Sequence, residues 1–282
     1  MRSARAVDPR SRTVIIEPGG SWSRVGLREL WESRELFFFL VWRDLKVRYK
    51  QTAFGAAWAL LQPLLLMVVF SLSLGRVSGI APVGVPYPLF VFAGLVPWTL
   101  FSQGLLGSSA SLVNAANLLQ KVYFPRLLLP VAAIASYVLD FGIAMAVLFI
   151  LAFSFGVVPT AAVVWLIPLT ILVLAVSLAI GIWLAAVNVR YRDVRHAVPF
   201  LLQVWLFASP IAYSAGLVPS QWQVIYRLNP MAGVIEGFRW SLLGGSEPPV
   251  EPVGLSVLIT GLILITGLAY FRRVERTFAD VI

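Results

Sequence analysis

Few side chains in this sequence could carry chemistry. It holds one histidine, no cysteine and thirteen acidic residues. Among the acids only Asp140 lies deep in an uncharged stretch, as the single charge between Leu127 and Val189. A carboxylate near the middle of a bilayer is costly and marks a functional position by default. The alternative is an Asp that is protonated or hydrogen-bonded to a neighbouring helix as a packing device. No Lys or Arg shares an apolar stretch with it, and one acid does not make a proton relay. His196 follows the basic run Arg190-Tyr191-Arg192-Asp193-Val194-Arg195 and reads as a lone surface residue. Metal-dependent sugar transfer needs clustered acids, and here they are scattered. Lys46, Lys50 and Lys121 follow no glycine-rich strand-to-helix turn, so the G-x-x-x-x-G-K-[ST] phosphate loop is missing. These residues predict no catalytic group, no metal site and no cofactor bound by this chain. If ATP drives the protein, another polypeptide binds it.

The elements that position these residues are read from hydropathy. Of 282 residues 59% are hydrophobic and 12% charged, with a mean hydropathy of +0.86. Soluble domains carry about 25% charged residues, so a water-facing surface could not be covered. No charge falls between Gln51 and Gly75 or between Val77 and Gln120, and a span needs roughly 20 apolar residues. The pattern predicts an all-α integral membrane protein with six transmembrane helices at 53–75, 88–112, 128–153, 162–187, 197–214 and 253–271. With the N-terminus inside, segments 1–52, 113–127, 188–196 and 272–282 hold 11, 2, 3 and 3 basic residues, and the outer segments keep only Arg76, Arg227 and Arg239. Lys and Arg near span ends set orientation, so both termini are expected in the cytoplasm. The net charge of +9 then orients the chain in a membrane and does not imply nucleic acid. The first 35 residues are polar, and Val14-Ile15-Ile16 is too short for the apolar core of a signal peptide. No internal repeat is evident, which counts against carriers built on repeats.

Three segments outside the spans read as structured. After a tail at 1–33, residues 34–52 hold an amphipathic interfacial helix: Phe38, Trp42, Leu45 and Tyr49 share a face, with Arg43, Lys46 and Lys50 about 100° away. An ordinary basic anchor before a span is the plainer alternative. The 113–127 loop carries Leu118, Leu119, Val122, Tyr123 and Phe124 beside Lys121 and Arg126, with Asn114 or Asn117 as a helix cap and Pro125 as its stop. A loop this apolar either lies in the membrane interface or docks onto another protein. Between spans five and six, Ser220 with Gln223 reads as a capping box, Asn229-Pro230 as a cap and first-turn pair, and Gly244 as a stop. They predict two short helices within 220–243, re-entrant from the outer face. Residues 53–271 form the membrane domain and 272–282 a cytoplasmic tail.

Aromatic residues are abundant, with ten Trp, eighteen Phe and eight Tyr. Trp58, Phe92, Trp98, Phe101, Trp205 and Phe207 fall inside spans, where they either pack or present ring faces to a passing sugar.

Four motifs now carry a resemblance. Arg43-Asp44-Leu45-Lys46-Val47-Arg48-Tyr49-Lys50-Gln51-Thr52 leads into Gly55-Ala56-Ala57-Trp58-Ala59-Leu60-Leu61-Gln62-Pro63. Lys121-Val122-Tyr123-Phe124-Pro125-Arg126 and Asn188-Val189-Arg190-Tyr191-Arg192-Asp193-Val194 follow. Leu228-Asn229-Pro230-Met231 with Glu236-Gly237-Phe238-Arg239 completes the set. In order and spacing, over about residues 34–245, the sequence resembles the permease subunits of ABC transporters that export polysaccharide, O-antigen and teichoic acid. The resemblance implies a homodimer in the bacterial cytoplasmic (inner) membrane around a continuous channel. It implies two copies of a separate nucleotide-binding subunit, which holds ATP and Mg, and an undecaprenyl-diphosphate-type lipid-linked glycan as substrate. By the same likeness Leu119, Gln120, Lys121, Val122, Tyr123, Phe124, Pro125 and Arg126 would dock on the ATPase. Trp42, Arg43, Lys46, Arg48, Tyr49 and Lys50 would frame the place where the lipid head enters. Trp58, Phe92, Trp98, Phe101, Asp140 and Trp205 would be channel candidates, and Tyr226, Asn229, Glu236 and Arg239 would form the external gate. The rival readings are a permease for a drug or small lipid and an ATP-independent channel or carrier.

Overall fold

The computed structural model describes residues 32–50, 57–75, 84–122, 124–158, 160–244 and 247–275. Among them no strand occurs. Helix α1 spans Arg34–Tyr49, α2 Ala57–Leu74 and α3 Tyr87–Asn114. The short α4 covers Ala116–Lys121. Helices α5 (Leu128–Ala135) and α6 (Val138–Ser154) are nearly continuous, broken only at Ser136–Tyr137. A 3₁₀ turn at Ala161–Trp165 leads into α7 (Leu166–Arg190). Then come α8 (Val194–Ala208), α9 (Gln223–Arg227), α10 (Pro230–Leu243) and α11 (Val250–Glu275).

Among the described residues four stretches are long and apolar enough to cross a membrane: Tyr87–Asn114, Leu128–Ser154, Ala161–Arg190 and Val250–Glu275. Two more, Leu60–Leu74 and Val194–Ala208, are apolar but shorter. The fifth span expected at 197–214 therefore ends early. Its stop is chemical: Ser209 precedes Pro210 and takes an extended conformation, φ −100° and ψ 150°, as residues before proline do. Fifteen helical residues rise only about 22 Å at 1.5 Å each.

Helix α3 is the hub. It packs most extensively on α7 and also meets α2, α5, α6, α8 and α10. A helix apolar all round must be buried, and α3 is buried without interruption from Leu89 to Trp98. Small residues let α7 approach it closely: a Cβ on Gly181 would lie 2.7 Å from the Cβ of Ser108. Polar bonds tie the same pair of helices, from Asn188 Nδ2 to the Ser109 carbonyl at 2.9 Å and from Ser177 Oγ to the Phe101 carbonyl at 3.5 Å. Helix α10 lies among α3, α7 and α11. A second apolar cluster gathers the other ends of α3, α7 and α11 with α1, α5 and the loop before α5, through Leu40, Leu112, Phe124, Leu128, Ala186 and Phe271.

Several local expectations change. Helix α1 has two apolar faces in place of one. Leu36, Phe37, Leu40 and Val41 pack inward, while Phe38, Phe39 and Trp42 are exposed. The α4 cap position is Ala115, without a side-chain cap bond, because α3 itself runs on to Asn114. Ser220 and Gln223 form no capping box: Pro219 holds the cap position of a 3₁₀ turn at Ser220–Trp222, and α9 starts only at Gln223. The Asn229-Pro230 start and Gly244 stop of α10 are present, with Asn229 accepting from Met231 N and Gly244 at φ 79°.

Gly181→Val, which forces a branched side chain against Ser108, is expected to cost about 1–3 kcal/mol by overpacking and to lower the thermal unfolding midpoint in detergent. Gly254→Ala meets nothing within 4 Å and is expected to hold or raise that midpoint, since Ala favours a helix by about 0.8–1 kcal/mol over Gly.

Candidate functional site

The last turn of α1 and the first turn of α6 build a charged cluster. Arg48 Nη1 donates to Asp140 Oδ2 at 2.7 Å and to the Ser136 carbonyl at 3.1 Å. Its Nη2 donates to Ser136 Oγ at 2.7 Å. The guanidinium carbon sits 3.6 Å from the centre of the Tyr137 ring, within the range of a cation–π contact. Tyr49 donates its hydroxyl to the other carboxylate oxygen, Asp140 Oδ1. Asp140 thus has the cationic partner that its apolar neighbourhood in sequence lacks. The partner comes from a separate helix 92 residues earlier, on a side chain long enough to carry its charge away from its own backbone. Ser136 and Tyr137 are functional neighbours that sequence reasoning missed. The signal was available, since they lie four and three residues before Asp140, the spacing that brings helical side chains together.

A cleft of about 320 Å³ opens beside this cluster, between α1, α2, α3 and α6. Trp58, Gln62, Thr99, Gln103, Tyr137 and Asp140 line it. Of the other positions expected where a lipid head enters, Trp42, Lys46 and Lys50 are exposed. Arg43 is half-buried and paired with Asp44 at 2.9 Å. Lys46 Nζ lies 5.3 Å from the Trp42 ring centre.

The aromatic channel candidates divide by position. Trp58 is 54% exposed at the cleft, whereas Phe92 and Phe101 have no exposed surface and Trp98 has 4%. Trp98, Phe101 and Trp205 pack on one another, with centroids 5.1–6.3 Å apart. In this conformation they face other helices of the same chain.

The expected gate residues are brought together, but by two different means. Tyr226 donates to Glu236 Oε1 at 2.8 Å, joining α9 to α10. Asn229 Oδ1 accepts from Met231 N and from Trp205 Nε1, both at 3.0 Å, and its Nδ2 donates to Ser209 Oγ at 2.9 Å. Arg239 is buried, donating to the carbonyls of Phe90 at 3.1 Å, Ile211 at 2.6 Å and Tyr213 at 3.4 Å. Its guanidinium lies 3.5 Å from the Phe90 ring centre. Asn229 and Arg239 are therefore pins that fix the turn after α8. An apolar cavity of about 550 Å³ lies next to them, lined by Trp205, Tyr213, Trp222 and Tyr226 among others.

In the loop between α3 and α5, Gln120, Lys121 and Val122 are exposed, and Leu119 and Pro125 are partly covered. Phe124 turns into the protein's own core at 7% exposure. Arg126 donates to the Glu275 carbonyl at the end of α11. Tyr123 lies outside the described residues. His196 is exposed. Among the described residues no group of acids, His or Cys could hold a metal ion.

The profile of the ABC-2 type transporter family matches residues 35–243. An O-antigen export system permease protein of Myxococcus xanthus is 31% identical over 91% of this chain and 98% of its own length. A Klebsiella pneumoniae protein of the same description is 29% identical over 88% and 95%. A polysialic acid transport protein of Escherichia coli is 23% identical over 83% and 91%.

Removing one partner of a buried ion pair leaves a charge uncompensated, typically a loss of about 3–5 kcal/mol; with Arg48 and Asp140 at 25% and 14% side-chain exposure, the loss here should be smaller. Asp140→Leu is expected to lower the unfolding midpoint clearly. Arg48→Met together with Asp140→Leu is expected to recover most of it. Additive losses in that double-mutant cycle would mean that the two side chains do not act as a pair.

Proposed function

The chain belongs to the ABC-2 type transporter family, and on that footing we propose that it is the membrane subunit of an ATP-driven exporter which carries a glycan on an undecaprenyl-diphosphate-type lipid across the cytoplasmic membrane. It is an inner-membrane, multi-pass transport permease. The observation that carries the substrate reading is the nearly full-length likeness to O-antigen export permeases and to a polysialic acid transport protein. A permease for a drug or small lipid is the weaker reading, because the relatives of higher identity export glycans.

In this reading α2 and α8 complete six spans with both ends inside, supported by the 19-to-3 split of basic residues. Two copies enclose the path. The broad exposed apolar faces, such as Leu65, Val69 and Leu72 on α2 and Phe200, Val204 and Phe207 on α8, meet lipid or the second copy. Lys46 and Lys50 on the exposed side of α1 attract the anionic lipid head at the cytoplasmic surface, where each basic residue is worth about 1 kcal/mol. A separate nucleotide-binding subunit docks on Gln120, Lys121 and Val122. Its closure on ATP pushes the α3–α5 loop. That push reaches α5 directly and α1 through the contact of α5 with α1 and the Arg48–Asp140 pair. The α9–α10 segment narrows the outer exit, with Tyr226 and Glu236 as its movable contact.

The test is to co-express the tagged chain with its neighbouring ATPase gene, purify the complex and measure ATP hydrolysis with and without undecaprenyl-linked glycan. A complex of two copies of each subunit, stimulated by the glycan lipid, is expected. Absence of any ATPase partner, or hydrolysis indifferent to glycan lipid, would sink the proposal. Lys121→Glu is expected to weaken the ATPase contact by about tenfold or more, as loss of an interfacial charge contact can, without lowering the unfolding midpoint. Phe124→Ala is expected to lower that midpoint, as truncation of a buried Phe costs about 3–5 kcal/mol.

A further inference from the structure

The cleft between α1, α2, α3 and α6 combines features that a site for a charged head group would not have. Two glutamines reach into it, Gln62 from α2 and Gln103 from α3. One is exposed and the other half-buried. Among the described residues neither amide makes a hydrogen bond, whereas Asn188 donates to a backbone carbonyl and Asn229 both donates and accepts. An amide at membrane depth without a partner costs several kcal/mol unless water or a polar ligand satisfies it. The cleft is also flanked by ring faces, Trp58 at one side and Tyr137 at the other. Its two ionised groups neutralise each other: Arg48 is committed to Asp140, to Ser136 and to the face of Tyr137. Among the described lining residues none offers an uncompensated positive charge to a diphosphate. Amide donors and acceptors, with an aromatic plane and no net charge, match an uncharged polyhydroxylated ring. The apolar face of such a ring stacks on an indole, while its hydroxyls exchange hydrogen bonds with amides. A volume of about 320 Å³ accommodates one pyranose ring and little more.

We infer that this cleft is a sugar-ring subsite, in which Trp58 stacks on an uncharged pyranose and Gln62 and Gln103 hydrogen-bond its hydroxyls. The inference rests on the exporter reading and adds to it. The lipid's diphosphate stays outside at the exposed α1 surface, and the first sugar of the glycan, not the phosphate, is what the cleft recognises. The Arg48–Asp140 pair forms the closed end of the subsite and holds α1 against α6 while it is occupied.

The chain contains no cysteine, so one introduced thiol reports on the cleft without background. Thr99 lines the cleft, and its hydroxyl is already committed to the Leu95 carbonyl, which makes Thr99→Cys a reporter outside the proposed contacts. The full chain, in complex with its ATPase subunit in lipid nanodiscs, is treated with a small thiol reagent, and modification is read on this chain after gel separation. The probes are decyl β-D-glucopyranoside and decyl phosphate, each below its micelle-forming concentration. Glucoside is expected to slow modification about tenfold and phosphate less than about twofold, a difference in affinity of about 1.4 kcal/mol if the ratio reflects binding. Adding Gln62→Leu and Gln103→Leu is expected to abolish the glucoside effect while the unprotected rate stays within about twofold, the sign of an intact cleft. Equal protection by both probes would assign the effect to the alkyl chain and overturn the subsite. Stronger protection by phosphate would make the cleft an anionic head-group site and overturn it as well, as would no protection by either. Stimulation of ATP hydrolysis by undecaprenyl-linked glycan, measured on the same preparation, reports separately. Stimulation without glucoside-specific protection removes the subsite and leaves the exporter reading intact, whereas glucoside-specific protection without stimulation does the reverse.

Discussion

Arg239 collects three carbonyl groups, two from the non-helical turn after α8 and one from the first turn of α3. Helix α8 stops at Ala208, and the chain that follows must turn within an apolar surrounding before α9. There an unpaired carbonyl finds no water, and each one costs several kcal/mol. A guanidinium has five donors in a fixed fork. Arg239 spends three of them on Phe90, Ile211 and Tyr213, and its flat face rests on Phe90. Asn229, at the start of the same helix, serves other polar groups: it caps α10 and at once fastens Trp205 and Ser209. The short α8, the turn after it and the start of α10 are one unit held by these two side chains. Gly94 fits beside Arg239 because a Cβ there would come within 3.0 Å of its Nη2.

The same requirement organises the opposite end of the protein. Asp140 in an apolar helix needs a cation, and α1 supplies Arg48 from outside the spans. Because the α5–α6 pair is broken at Ser136–Tyr137, the guanidinium also finds a hydroxyl, a carbonyl and a ring there. A peripheral helix is thereby tied to the membrane domain by polar bonds as well as by Leu40, which is fully buried.

Much of the helical layout was legible in the sequence, since uncharged runs with Pro and Gly boundaries are strong signals. Tyr87–Asn114 and Val250–Glu275 lie close to the expected 88–112 and 253–271. The length of α8 was not legible, because hydropathy continues through Ile211-Ala212 after Pro210 has ended the helix. Caps were legible where proline or glycine fixed the geometry: Asn229-Pro230 and Gly244 bound α10, whereas Ser220 with Gln223 gave way to a 3₁₀ turn led by Pro219. The partner of Asp140 lay beyond reach of any window along the chain, since the pairing joins residues 92 apart. Aromatic side chains were the least readable. Phe92 and Trp58 both sit in apolar helices, yet one is fully buried and the other 54% exposed, a difference set by which way each helix is rotated.

Tightness at one end and looseness at another decide where movement can pass. The loop between α3 and α5 is anchored by Phe124 in a core that includes Leu112, Leu128 and Phe271, and by Arg126 on the end of α11. Close-packed interiors transmit displacement instead of absorbing it. A force applied to the exposed residues Gln120 to Val122 would therefore move α5 and the end of α11 together. Helix α1 sits against α5 and is bonded to the break that follows it, so it must move with that unit or lose the Arg48–Asp140 pair. The cleft lies on this boundary, with α2 and α3 on one side and α1 and α6 on the other. Its width is accordingly the dimension most sensitive to displacement of the loop, and a ligand held by Gln62, Gln103 and Trp58 on the α2 and α3 side would feel Tyr137 and the Arg48–Asp140 pair move against it.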